Sequence, residues 1–257
     1  MKINNEVYQT YGHGWWAEDA AFEFASLRYC LNPVRYGYFK RRLQELPLPG
    51  RAVLDVGCGG GFLAEEFARD GFTVTGIDPA SRSLEAARQH AADQQLAIDY
   101  QEGQGEALPF ADASFDIVAC CDVLEHVDDP SLVIREIART LKPGGVFCYD
   151  TVNRTWQSKI ALIKISQDWS CTRWTQPNVH VWEKFIKPAE LIALMNRSQL
   201  ANQELRGISS KKKPLALLRS LRSLKKGRMS NQEIAAAFAL CESDDLKISY
   251  MGYAIRQ

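Results

Sequence analysis

Between residues 51 and 152, short apolar runs alternate with longer segments of helical periodicity. The runs at 51–56, 73–77, 97–101, 115–120 and 145–151 are bounded by turn residues and predict strands. Apolar positions three and four apart predict helices over 61–70, 81–92 and 130–141, with 122–126 as a helical extension before the last. Strands apolar on both faces, each followed by a helix, imply a parallel sheet covered by crossover helices. Leu141-Lys-Pro-Gly-Gly145 sets Pro and Gly just past a last helical turn and stops that helix before the fifth strand. Residues 1–50 read as a helical cap rich in aromatics, clearest from Val34 to Leu46 before Pro47 and Pro49. Residues 153–257 hold an inserted lid, a basic insertion and C-terminal strands of the same domain, among them an alternating run from Leu246 to Ile255.

The first strand carries the chemistry. Asp55 is followed by Gly57, Gly59, Gly60 and Gly61 and then by a helix start at Phe62. Glycine at a strand-to-helix turn allows close backbone approach, and the helix N-terminus behind it favours an anionic ligand group. Asp78 ends the second strand at the spacing where a carboxylate meets a pair of ribose hydroxyls. A dinucleotide fingerprint needs a small residue at position 62, and Phe62 argues against it. The pattern D-x-G-x-G-x-G over Asp55, Gly57, Gly59 and Gly61 resembles class I S-adenosylmethionine (SAM) methyltransferases.

Composition narrows the setting. With 257 residues, 46% hydrophobic and 24% charged, the chain suits one large domain with additions. Its formal net charge of zero argues against nucleic acid as a partner. Seven cysteines without a C-x-x-C spacing point to reduced thiols and a cytoplasmic location. The sequence has neither a signal peptide nor an apolar run of about 18 residues that could cross a membrane.

Cys121-Asp-Val-Leu-Glu-His126 follows the fourth strand, at the sheet edge where open α/β folds bind ligands. If helical, Asp122, Glu125 and His126 share one face and form a candidate site for Mg or Zn; first-turn acids beside a catalytic or packed histidine are the alternative. Arg35 offers a guanidinium fork matched to a carboxylate.

The blocks Trp15-Trp16, 31–38, 54–61, 124–127, 141–145, 151–154 and Lys184-Phe-Ile-Lys-Pro-Ala-Glu190 occur in an order that resembles the ubiquinone-biosynthesis O-methyltransferases, which methylate polyprenyl catechols and hydroxyphenols. That resemblance implies a Rossmann-like, doubly wound, seven-stranded sheet, with the seventh strand antiparallel beside the fifth. It implies SAM contacts at Arg35, Asp55, Gly57, Gly59, Gly61, Asp78 and Cys121, with the adenine at Gln104 and Gly105. A divalent metal at Asp122, Glu125 and His126 is also implied; relatives often carry Glu where this chain has Asp122. His126 or His180 would accept the proton of a phenol or catechol acceptor. Carbon or nitrogen acceptors, a non-catalytic SAM-binding protein and a nicotinamide oxidoreductase are the rival readings.

Residues 211–228 depart from that family. They hold eight basic residues and no acid, with Leu217, Leu218, Leu221 and Leu224 in one helical stripe. Such a helix is a candidate for peripheral contact with an anionic membrane, for docking on a partner or contacting phosphates, or for packing its leucines on the core. Trp156, Trp169 and Trp174 are expected in a lid over the acceptor pocket.

Overall fold

The computed structural model describes residues 3–10, 12–17 and 22–257, with only the backbone given at His13. The cap consists of α1 (Glu6–Thr10), α2 (Phe22–Ser26), a π-helical turn (Leu27–Leu31) and α3 (Asn32–Glu45). The core then runs β1 (Ala52–Val56), α4 (Phe62–Arg69), β2 (Thr73–Asp78), α5 (Ser81–Asp93), β3 (Ile98–Glu102), β4 (Phe115–Cys121), α6 (Pro130–Thr140) and β5 (Leu141–Val152). Beyond it come α7 (Trp156–Ser158), a π-helix (Lys159–Asp168), α8 (Pro188–Arg197), β6 (Leu200–Ser210), α9 (Pro214–Lys225), α10 (Asn231–Phe238), β7 (Leu240–Ser243) and β8 (Ser249–Arg256).

The eight strands form one sheet in the order β3-β2-β1-β4-β5-β8-β6-β7. Strands β1 to β5 are parallel, and β8 inserts antiparallel beside β5, as expected. The expected seven strands are joined by β7, a short edge strand that follows the basic insertion and pairs with β6. Side chains alternate across β4 and β5. Ile117, Ala119, Val146 and Cys148 face the layer of α3, α4 and α5, while Val118, Cys120, Phe147 and Tyr149 face α6 and α8. The chain winds one way from β1 to β3 and the other way from β4 onward. The crevice between the carboxyl ends of β1 and β4 is therefore the ligand position of the fold.

Two expectations change here, and one set of alternatives is narrowed. Residues 122–126 form a turn, because Asp122 has φ +55°, a left-handed conformation that a right-handed helix cannot continue through. The helix begins at Pro130, where Asp129 caps it by accepting the Ser131 N–H at 2.8 Å. In the lid, Trp156 and Trp169 are 67% and 49% exposed, and only Trp174 packs inward, against Phe22. In the basic insertion, Leu221 and Leu224 join Phe22, Ala25 and Ile234 in a small core between cap and lid, and the eight basic side chains face solvent.

Candidate active site

The glycine loop is shaped by what crowds it. Gly57, Gly59 and Gly61 have φ of +71°, +50° and +84°. A Cβ at Gly57 would strike Val123, and one at Gly59 would lie 2.8 Å from the Trp15 ring. The conformation and the space therefore both require glycine. Trp15 and Trp16 strap the cap onto this loop: the Trp16 indole N–H donates to the Gly60 carbonyl at 2.7 Å, and the Trp15 N–H donates to Ser83 at 2.9 Å.

Asp78 holds the other rim. Its two carboxylate oxygens accept the Gly59 N–H at 2.9 Å and the Ala80 N–H at 2.8 Å, which leaves further lone pairs facing the crevice. Burial raises the Asp78 carboxyl above its usual range against the pull of those two amides. Asp55 is 2% exposed, and its Oδ2 has no hydrogen-bond partner. Burial pushes its carboxyl up to about 7, although Arg35 pulls the other way.

A cavity of about 440 Å³ joins these groups. Its wall includes Arg35, Asp55, Gly57, Gly59, Asp78, Gln104, Gly105 and Cys121, eight of the nine expected cofactor residues. Gly61 lies behind the wall, where a Cβ would meet the Tyr100 ring. The cradle without Cβ atoms, the buried acid with an open valence and the acid at the ribose position fit the adenosyl and amino-acid parts of SAM.

Tyr8, Asp122 and His126 also line the cavity. Asn5 fixes His126 twice: its amide donates to the His126 carbonyl at 3.1 Å, and its Oδ1 lies 3.2 Å from Nδ1. With that oxygen accepting, Nδ1 carries the ring proton and Nε2 is the free acceptor. His180 lies next to His126, with ring centroids 5.6 Å apart, and its Nδ1 is buried without a partner. Burial lowers His126 to about 3 and His180 to about 4, so both rings are neutral near pH 7.

The metal expectation fares differently. Asp122 pairs with Arg35, and Glu125, which is 2% exposed, accepts the Thr151 hydroxyl at 2.8 Å. Glu125 keeps one unpartnered oxygen, and burial together with Asp122 raises its carboxyl. Among the described residues no three carboxylates, imidazoles or thiols converge as a metal centre requires. As folded, the set does not fit a metal.

Sequence reasoning missed Asn5, Tyr8 and Asp150. The first two lie about 120 positions from His126, with no motif linking them. Asp150 sits inside a strand and looks like ordinary alternation. A charged residue in an otherwise buried parallel strand was the available signal.

The family model described as a methyltransferase domain matches residues 54–149, the span from β1 to β5. Solved structures share the fold at low identity. A SAM-dependent methyltransferase from Thermotoga maritima has a TM-score of 0.58 at 19% identity, covering 92% of this chain and 94% of that one. The [4+2]-cyclase SpnF has a TM-score of 0.62 at 16% identity, covering 100% and 97%. Fold and site together define a class I SAM-dependent methyltransferase. The ubiquinone biosynthesis O-methyltransferase of Hahella chejuensis is 39% identical over 203 residues, 79% of this chain and 82% of that protein. Its counterpart in Klebsiella pneumoniae is 40% identical over 195 residues, covering 76% and 78%. The chain belongs to the ubiquinone biosynthesis O-methyltransferase family.

Proposed function

We propose that the protein methylates a hydroxyl of a phenol or catechol, with SAM bound along the glycine loop. The observation that carries this reading is a single cavity running from Asp78 to a neutral, Asn5-oriented His126. When bound, SAM supplies a methyl on a sulfonium for in-line displacement by the acceptor oxygen. Asp78 takes the ribose hydroxyls, Arg35 the methionine carboxylate and Asp55 the ammonium. Gln104 and Gly105 border the adenine, and Cys121 walls the reacting end. His126 Nε2 accepts the hydroxyl proton, and His180 packs beside it as a second acceptor. A phenol with a pKa of about 10 does not ionise freely beside so weak a base. His126 therefore orients the oxygen and takes its proton only as the hydroxyl reacts.

A screen with tritiated SAM, catechols first, tests the acceptor class; turnover only on amines or carbon acids would overturn it. A cation at Asp122, Glu125 and His126 would require Asp122 to leave Arg35. The same screen with EDTA and with added Mg²⁺ reads whether turnover depends on one.

Family membership and seven free thiols support a cytoplasmic setting. Among the described residues no helix is long and apolar enough to cross a membrane. The eight exposed basic residues of 211–228 support contact with an anionic lipid surface, held by charge since Leu221 and Leu224 pack inward. Flotation with phosphatidylglycerol vesicles at low salt checks this. Binding that survives charge reversal at Arg219, Arg222 and Lys226 would exclude it.

A further inference from the structure

The buried guanidinium of Arg35 is held by two carboxylates that differ in position. Asp150, from β5, has a side chain 3% exposed and lies 2.9 Å from Arg35 Nε, an ion pair in which neither atom makes a hydrogen bond. Asp122, whose side chain is 30% exposed, pairs with the terminal Nη2 and lines the cavity alongside Arg35. Asp150 also accepts the Asp122 backbone N–H at 2.9 Å, which pins the left-handed residue at the head of the β4 turn. One carboxylate is thus sealed behind the guanidinium and tied to both partners, and the other stands on its open side.

We propose that Asp150 is the positioning residue of a carboxylate clamp and that Asp122 is its exchangeable occupant. Asp150 holds the guanidinium by its buried counter-charge and, through its bond to the Asp122 N–H, sets where the Arg35 fork meets the cavity. Asp122 holds the fork until the methionine carboxylate of the cofactor takes its place and turns Asp122 aside. The division follows from how an arginine presents its donors. A buried counter-charge beside Nε holds the group in place, and the terminal nitrogens remain for a second, replaceable carboxylate. This rests on Arg35 as the ligand of that carboxylate. It predicts opposite signs at two aspartates that touch the same side chain.

The test is calorimetry with two probes on the full-length chain. S-adenosylhomocysteine has the carboxylate, and 5′-methylthioadenosine keeps the adenosine and sulfur but lacks the amino-acid part. Asp150→Asn is expected to weaken S-adenosylhomocysteine about tenfold, as the guanidinium loses its buried counter-charge and its aim. It should leave methylthioadenosine unchanged. Asp122→Asn is expected to tighten S-adenosylhomocysteine by about threefold, because a competing charge is gone while Arg35 stays aimed. Asp150→Ser, which keeps an oxygen near the Asp122 amide, repeats the first measurement should the asparagine variant not fold. Wild-type affinity in the Asp150 variants, equal losses for both probes, or weakening by Asp122→Asn would each overturn the proposal. The underlying reading fails separately, if Arg35→Ala binds S-adenosylhomocysteine as tightly as the wild type.

Discussion

At the Asp78 end of the cavity, both oxygens of that carboxylate accept backbone N–H groups from the adjoining loops, while Asp55 Oδ2 is buried without a partner. At the His126 end, Glu125 Oε1 and His180 Nδ1 are buried without partners, as is Glu23 Oε1 in the cap. The glycine loop and Asp78 come from one β-α-β unit, so their mutual contacts are close in sequence. The acceptor end is assembled from α1, the β4 turn and the segment around His180. The physics of the two ends differs accordingly. A closed hydrogen-bond set such as that of Asp78 holds its shape before any ligand arrives, whereas buried open valences, at Asp55 as at Glu125 and His180, cost stability until something meets them.

The comparison is broken most directly by removing one group from each end. His126→Ala is expected to lower kcat by about 10²- to 10⁴-fold, the usual range for a lost acid–base group. Calorimetric affinity for S-adenosylhomocysteine should stay at the wild-type value. Parallel losses in both would mean that the ends are not separate. Asp78→Ala should do the reverse, weakening S-adenosylhomocysteine about 100-fold through two lost charge-assisted hydrogen bonds to the ribose. An unchanged dissociation constant there would remove the cofactor assignment.

The same contrast explains what could be read from the chain. The strand–glycine–helix unit and Asp78 were legible because local spacing and turn chemistry dictate them. The order of β1 to β5 followed from alternation of apolar runs and helices. The turn at 122–126 was not legible: its residues suit a helix first turn, but Asp122 takes a left-handed φ while its backbone N–H bonds Asp150 from the next strand. Tertiary contact overrode local preference. The leucine stripe of α9 was correct as a helix and ambiguous in partner, since sequence periodicity identifies a face without saying what covers it. Phe22, Ala25 and Ile234 cover its buried end. Asn5 and Tyr8 reach His126 only through the fold.

The open valences can also be weighed one at a time, and Glu23 is the cleanest because it lies in the cap, away from the cofactor loop. It is 9% exposed, Oε1 has no partner, and burial pushes its carboxyl up to about 7. The unfolded carboxyl titrates near 4.5, so the folded chain holds this proton over a window in which the unfolded chain has released it. The neutral carboxyl's contribution to stability is therefore full below about 4.5 and is lost as pH rises through about 7. Glu23→Gln keeps the shape and removes the charge. It should add about 2 kcal/mol at pH 8.5, a melting shift of roughly 4–8 °C for a chain of this size, and almost nothing near pH 4.5. Scanning fluorimetry at several pH values reads the difference directly. A shift equal at every pH would make Glu23 a packing position. A lower melting temperature at pH 8.5 would mean that its charge already has a partner.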